Sequence, residues 1–192
     1  IRGAADTVVR LEVLPADAGP DGKHKVVSLV RKPISLQDQS AKSSVQTITD
    51  GALIRKIGVI TLPSFYEDFA AKQKGISGYK STSRDVAVLI KELKDKKVDG
   101  ILMDLRNNGG GSLSEAIELT GFFTGKGPVV QVRDAKGQIR VESSPQSQPA
   151  WEGPLAVLIN RNSASASEIF AAAIQDYGRG LVLGEPSFGK GT

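Results

Sequence analysis

Cysteine is absent from the 192 residues, which excludes disulfides, thiolate nucleophiles and Cys-ligated zinc or iron–sulfur centres, while fitting a reducing or an oxidising compartment equally. Histidine occurs once, as His24, so paired-His metal motifs are excluded and a Ser-His-Asp triad would have to use that one residue. No apolar run approaches the roughly 20 residues that span a bilayer. The stretch from Ile1 also shows neither the apolar segment nor the cleavage site of a signal peptide, so no compartment is read from targeting. Aromatic residues are only 5%, and the 25 basic and 21 acidic residues are scattered, so the net charge of +4 lacks the clustering of a nucleic-acid surface. What the chain does have is core material. With 40% hydrophobic and 24% charged residues it is expected to fold, as one domain with a fragment of a second.

Thr7–Val13 and Lys25–Arg31 alternate or concentrate β-branched and apolar residues and read as strands. The turn-rich Pro15–Gly22 between them predicts a long-looped hairpin, with His24 as an exposed loop residue. Residues 31–52 are polar and read as a connector, with a short strand at Val45–Ile48. Ile57–Leu62, closed by Pro63, reads as a buried strand. The polar stretch Glu67–Lys80 reads as a mobile excursion. From Ser83 a helix follows, with Val86, Leu89, Ile90 and Leu93 on one face and solvated lysines on the other.

The second half then repeats one unit. Strand Gly100–Leu105, turn Arg106–Gly111 and helix Ser112–Phe123 are echoed by strand Leu155–Ile159, turn Asn160–Ser165 and helix Ala166–Tyr177. That last helix places Tyr177 inward and stops at Gly178. Val129–Val141, split at Lys136-Gly137, reads as a hairpin, and Leu181–Leu183 as a final strand. Strands alternating with helices predict an α/β sheet whose sites lie where strands hand over to helices.

Three such loops can carry chemistry. Asn107-Asn-Gly-Gly-Gly111 opens a helix, with Ser112 and Glu115 in capping-box spacing. Its bare amides suit an oxyanion hole or a phosphate cradle, against the plainer reading of a tight turn. Ser163-Ala-Ser-Ala-Ser167 precedes Glu168, so Ser165 is either a helix cap in a Ser165-x-x-Glu168 box or a nucleophile beside unpaired amides, one of them that of Ala166. Gly184 to Thr192 nearly matches the phosphate loop G-x-x-x-x-G-K-[ST], with Gly184, Gly189 and Lys190 in place but Gly191 where a Mg²⁺-binding hydroxyl is needed. A lysine between glycines after a buried strand is otherwise a candidate for partial desolvation, which would supply a neutral amine as a base. Together the loops suggest a Ser-Lys pair: Ser165 attacks, Lys190 takes and returns its proton, and the amides of Gly111 and Ala166 hold the oxyanion.

The strings Asp104-Leu-Arg-Asn-Asn-Gly-Gly-Gly111, Ser163-Ala-Ser-Ala-Ser-Glu168 and Phe188-Gly-Lys-Gly-Thr192, in this order, resemble those of the C-terminal processing peptidases, in particular the bacterial tail-specific proteases. The likeness covers nearly the whole chain. It implies a ClpP/crotonase-like α/β core, a nucleophile at Ser165, a base at Lys190 and oxyanion amides at Gly111 and Ala166. It also implies a periplasmic serine endopeptidase, without cofactor or metal, that recognises polypeptides by apolar, unstructured C-termini, with an adaptor protein as a further candidate partner. On this resemblance residues 1–33 correspond to the end of a PDZ domain, and residues 34–192 to a protease core that stops before a glutamine the family carries beyond its lysine. The isolated stretch is therefore expected to be inactive. Two other readings stay open: a nucleotide-binding module built on the Gly184–Lys190 loop, and a non-catalytic peptide-binding domain built on the hairpin.

Overall fold

The computed structural model describes Ile1, residues 3–32 and residues 39–191. It divides into two units, Ile1–Asp38 and Gln39–Thr192. The first is the expected hairpin, β1 (Val8–Val13) against antiparallel β2 (Lys25–Val30), in a register that pairs Val8 with Val30 and Val13 with Lys25. His24 lies at its end, with Nδ1 3.1 Å from Glu12 Oε1.

The second unit is an α/β layer. Its elements are β3 (Lys42–Asp50), β4 (Leu53–Thr61), α1 (Phe69–Gln73), α2 (Thr82–Asp95), β5 (Gly100–Asp104), α3 (Leu113–Thr124), β6 (Gly127–Arg133), β7 (Ile139–Ser144), β8 (Leu155–Ile159), α4 (Ala166–Asp176) and β9 (Leu181–Gly184). The main sheet has the order β3-β4-β5-β8-β9, parallel except for the antiparallel edge strand β3, while β6 and β7 form a separate hairpin. Every crossover from β4 through β9 steps the same way along the sheet. Right-handed connections then put α2, α3 and α4 on one face, where α3 packs on both neighbours. The core lies between them: Ile60, Met103 and Val157 from the strands meet Ile90, Leu93, Phe123, Phe170 and Ile174 from the helices, all at most 1% exposed. Phe123 and Phe170 meet edge to face, with ring centroids 5.8 Å apart.

Three expectations change. The connector over residues 31–52 gives way from Lys42 to a nine-residue strand, which continues through a two-residue turn at Gly51-Ala52 into an equally long β4. The end of this hairpin is exposed on both faces, so no hydrophobic alternation announces it. Only the β-branched content of Val45-Gln-Thr-Ile-Thr49 and the Gly51 turn do. Ser112 caps α3 by accepting the Glu115 N–H at 3.3 Å, but the Glu115 carboxylate does not close the box. It is buried and accepts the Ser83 N–H at 2.6 Å instead, tying α3 to the start of α2. Burial pushes the Glu115 carboxyl above its ordinary range, although hydrogen bonds from the Ser83 amide and from the Ser83 and Ser81 hydroxyls oppose the shift. Tyr177 is not inward. It is 46% exposed, and its hydroxyl donates to the Pro128 carbonyl at 2.8 Å.

Candidate active site

The carboxyl ends of β5, β8 and β9 lead into the three loops singled out by the sequence, and hydrogen bonds draw the loops together. Asn108 is the joint. Its buried side chain donates to the Leu62 carbonyl at 2.8 Å and accepts the Gly110 N–H at 2.9 Å, while its backbone carbonyl accepts the Ala164 N–H at 3.0 Å and the Ser167 hydroxyl at 2.8 Å. The Phe188 N–H donates to the Ser163 carbonyl at 3.0 Å, which brings in the third loop.

The two glycines with positive φ in the first loop are needed for different reasons. A Cβ on Gly110 (φ 100°) would lie 2.8 Å from the Ala164 carbonyl and from Ser165 Cβ, and 3.0 Å from the Ala166 nitrogen. One on Gly111 (φ 145°) would lie 2.1 Å from the Phe65 carbonyl oxygen. A side chain at either position would wedge the loop off its neighbours. Among the described residues, neither the Gly111 N–H nor the Ala166 N–H donates to a protein acceptor. Two amides on adjacent loops, one at the first turn of α4, are thereby left for an external oxygen.

The serines of the second loop separate by environment. Ser163 is fully buried, and its hydroxyl donates to the Leu105 carbonyl at 2.8 Å and accepts the Asn160 N–H at 2.9 Å. Ser167 is equally buried, and its hydroxyl is committed to Asn108. Ser165 is half-buried at the head of α4, with φ 56° and ψ −115°, a conformation that costs a non-glycine residue about 1–3 kcal/mol. It opens onto a groove of about 410 Å³ whose apolar wall is Val129, Val130, Ile169 and Ala172 and whose polar rim is Glu168, Asp176 and Lys190.

Glu168 connects the second and third loops. Its Oε2 accepts the N–H of Ser165 at 2.8 Å and that of Lys190 at 2.9 Å, while Oε1 accepts the Ser187 hydroxyl at 2.7 Å and the Gly189 N–H at 2.6 Å. Burial raises the pKa of such a carboxyl, but these four donors outweigh it and hold Glu168 below the usual glutamate range. Because the folded value is depressed, the clamp contributes stability above the ordinary range near about pH 4.3 and loses it as pH falls through the lower folded value. Glu168→Gln, which keeps one accepting oxygen of two, should therefore lower the melting temperature by a few degrees at neutral pH. The deficit relative to wild type should close on acidification below about pH 4. A deficit independent of pH would contradict the clamp.

Lys190 itself is exposed, so the described residues do not supply the desolvation expected around a neutral amine; they fix its backbone instead. The phosphate-loop reading loses ground here, because the Gly189 and Lys190 amides that would cradle a phosphate already serve the carboxylate of Glu168. Sequence reasoning missed Asn108 and the bridging role of Glu168, and it missed Asp176 altogether. The helical spacing of Ile169, Ala172 and Asp176 along the face begun by Ser165 was the available signal for the last of these.

The family model described as Peptidase family S41 matches residues 56–192. The tail-specific protease of Haemophilus influenzae is 43% identical over 192 residues, covering all of this chain and 25% of that protein. The chloroplastic carboxyl-terminal-processing peptidase 2 of Arabidopsis thaliana is 32% identical, covering all of this chain and 34% of the relative. Among solved structures, a photosystem II D1 C-terminal processing protease superimposes with a TM-score of 0.71 at 27% identity, over 98% of this chain and 46% of that one. The chain thus spans a quarter to a third of the length of these two curated relatives.

Proposed function

The chain belongs to peptidase family S41, and from that premise we propose that it carries the catalytic centre of a serine endopeptidase working through a Ser165–Lys190 pair. The observation that carries the assignment of the nucleophile is the division among the three serines: Ser163 and Ser167 are buried and bonded to backbone carbonyls, while Ser165 lines the groove with Lys190.

The reaction follows from these positions. A substrate peptide lies along the groove with its scissile carbonyl at Ser165. The Oγ–C bond forms as the hydroxyl proton passes to the Lys190 amine, and the carbonyl electron pair moves onto oxygen, where the N–H groups of Gly111 and Ala166 receive it. Collapse of the tetrahedral adduct breaks the C–N bond, and Lys190 returns its proton to the leaving amine. Water then attacks the acyl-enzyme with the same lysine as base, releasing the acid and restoring Ser165. Strain at Ser165 and the four bonds to Glu168 hold nucleophile and base loop in place before substrate arrives, so that little reorganisation is needed during the reaction.

The substrate class is polypeptide with an apolar, unstructured C-terminus, in an extracytoplasmic compartment, the periplasm in a Gram-negative cell. Among the described residues no helix is long and apolar enough to cross a membrane. Residues 1–33 serve as the end of a PDZ-like peptide-binding domain. Supporting this, the first unit holds a hollow of about 670 Å³ lined by Ile1, Val9, Leu29 and Val30. The test is competition between tails: the full-length protein should cleave an unstructured polypeptide ending in apolar residues at least about tenfold faster, in kcat/KM, than the same polypeptide ending in aspartates. Equal rates would refute tail recognition while leaving the peptidase chemistry standing.

A further inference from the structure

Between β4 and α1 the chain passes directly behind the glycine loop. The Phe65 N–H donates to the Gly110 carbonyl at 2.9 Å, and the Phe65 carbonyl accepts the Ser112 N–H at 2.8 Å, a single parallel bridge centred on Gly111. The first of these bonds sets the direction of a catalytically important group. In a trans peptide C=O and N–H point opposite ways, so fixing the Gly110 carbonyl on Phe65 aims the Gly111 N–H away from Phe65. Rotation of that one peptide would turn the donor out of position, and two glycines in succession resist the rotation poorly by themselves. Something outside the loop must hold the Phe65 segment against it.

Glu67 lies two residues on. Its side chain is fully buried. It accepts the hydroxyls of Ser112 at 3.0 Å and Ser114 at 3.3 Å, the two serines that follow Gly111, and it is ion-paired with Lys72 of α1. The Ser112 hydroxyl, oriented by this donation, accepts the Glu115 N–H and caps α3. A buried carboxylate is costly to desolvate, and an apolar side chain of similar volume would fill the space with less penalty, so the feature is better explained by the arrangement it enforces than by stability. Resting on the reading that the Gly111 amide stabilises the oxyanion, we propose that Glu67 is a positioning residue for that amide. By locking Ser112 and Ser114 to the Phe65 segment, it keeps the Gly110–Gly111 peptide in its productive orientation.

Steady-state hydrolysis by the full-length protein tests this, with the variants assayed well below their melting temperatures. Glu67→Ala should lower kcat about 10- to 100-fold, less than the 10²–10³-fold typical of losing a donor outright, with KM within about twofold, because the amide meets only the developing oxyanion. Glu67→Gln, which still accepts from both serines, should recover most of the lost kcat. Glu67→Asp keeps the charge for Lys72 but withdraws it from Ser112, so it should stay deficient, and it carries the test if the alanine variant does not fold. Wild-type kcat in Glu67→Asp or Glu67→Ala, or a kcat in Glu67→Gln as low as in Glu67→Ala, would overturn the proposal. Failure of the underlying site reading looks different: Ser165→Ala would then cleave as fast as wild type, and the proposal would fall with it.

Discussion

Ser165→Ala in the full-length protein is expected to lower kcat by about 10⁴-fold or more, the scale seen when a serine nucleophile is removed from a preorganised site. The protein should stay folded. Alanine inherits the same positive φ, so the strain remains and nothing packed in the core is lost. Ser165→Gly should be equally inactive yet more stable than Ser165→Ala by about 1 kcal/mol, because glycine adopts φ 56° without penalty. The neighbouring serines reverse this pattern. Ser163→Ala and Ser167→Ala each leave a buried carbonyl, of Leu105 or Asn108, with one donor fewer. They should cost about 1–3 kcal/mol of stability while retaining measurable turnover. An inactive Ser167→Ala beside an active Ser165→Ala would reverse the assignment.

The second large effect concerns the base. Lys190→Arg should reduce kcat by about 10³-fold or more, because a guanidinium stays charged and has no lone pair with which to accept the serine proton. The substitution is otherwise mild. The backbone N–H of residue 190 still donates to Glu168, the side chain is exposed with room for the larger head group, and KM and the melting temperature should hardly move. Full activity in Lys190→Arg would mean that Lys190 contributes charge rather than proton transfer.

The parts of this molecule legible in the sequence are those where one requirement dominates. Gly100–Asp104 and Leu155–Ile159 read as strands because a parallel sheet covered by helices demands apolar runs, and both loops that follow them stand out by composition. Of the β3–β4 hairpin the sequence shows only a short strand at Val45–Ile48 and a separate one at Ile57–Leu62, because its far end is solvated on both faces and follows no burial pattern. Glu115 and Glu168 show why spacing alone misleads. Both stand three residues after a helix-opening serine, yet Glu168 reaches back to its Ser165 amide while Glu115 turns to Ser83 on another helix. Which partner wins depends on what packs alongside, and that is tertiary information. The same holds for Glu67, whose role appears only once the chain beyond β4 is seen running behind the glycine loop.

The central claim, that Ser165 is the nucleophile activated at this groove, is tested most directly by reacting the full-length protein with a fluorophosphonate and locating the adduct by peptide mass spectrometry. A single phosphonylated residue, Ser165, is expected, with labelling lost in Ser165→Ala and slowed in Lys190→Arg. An adduct on Ser163 or Ser167, or labelling that persists at the wild-type rate in Ser165→Ala, would contradict it.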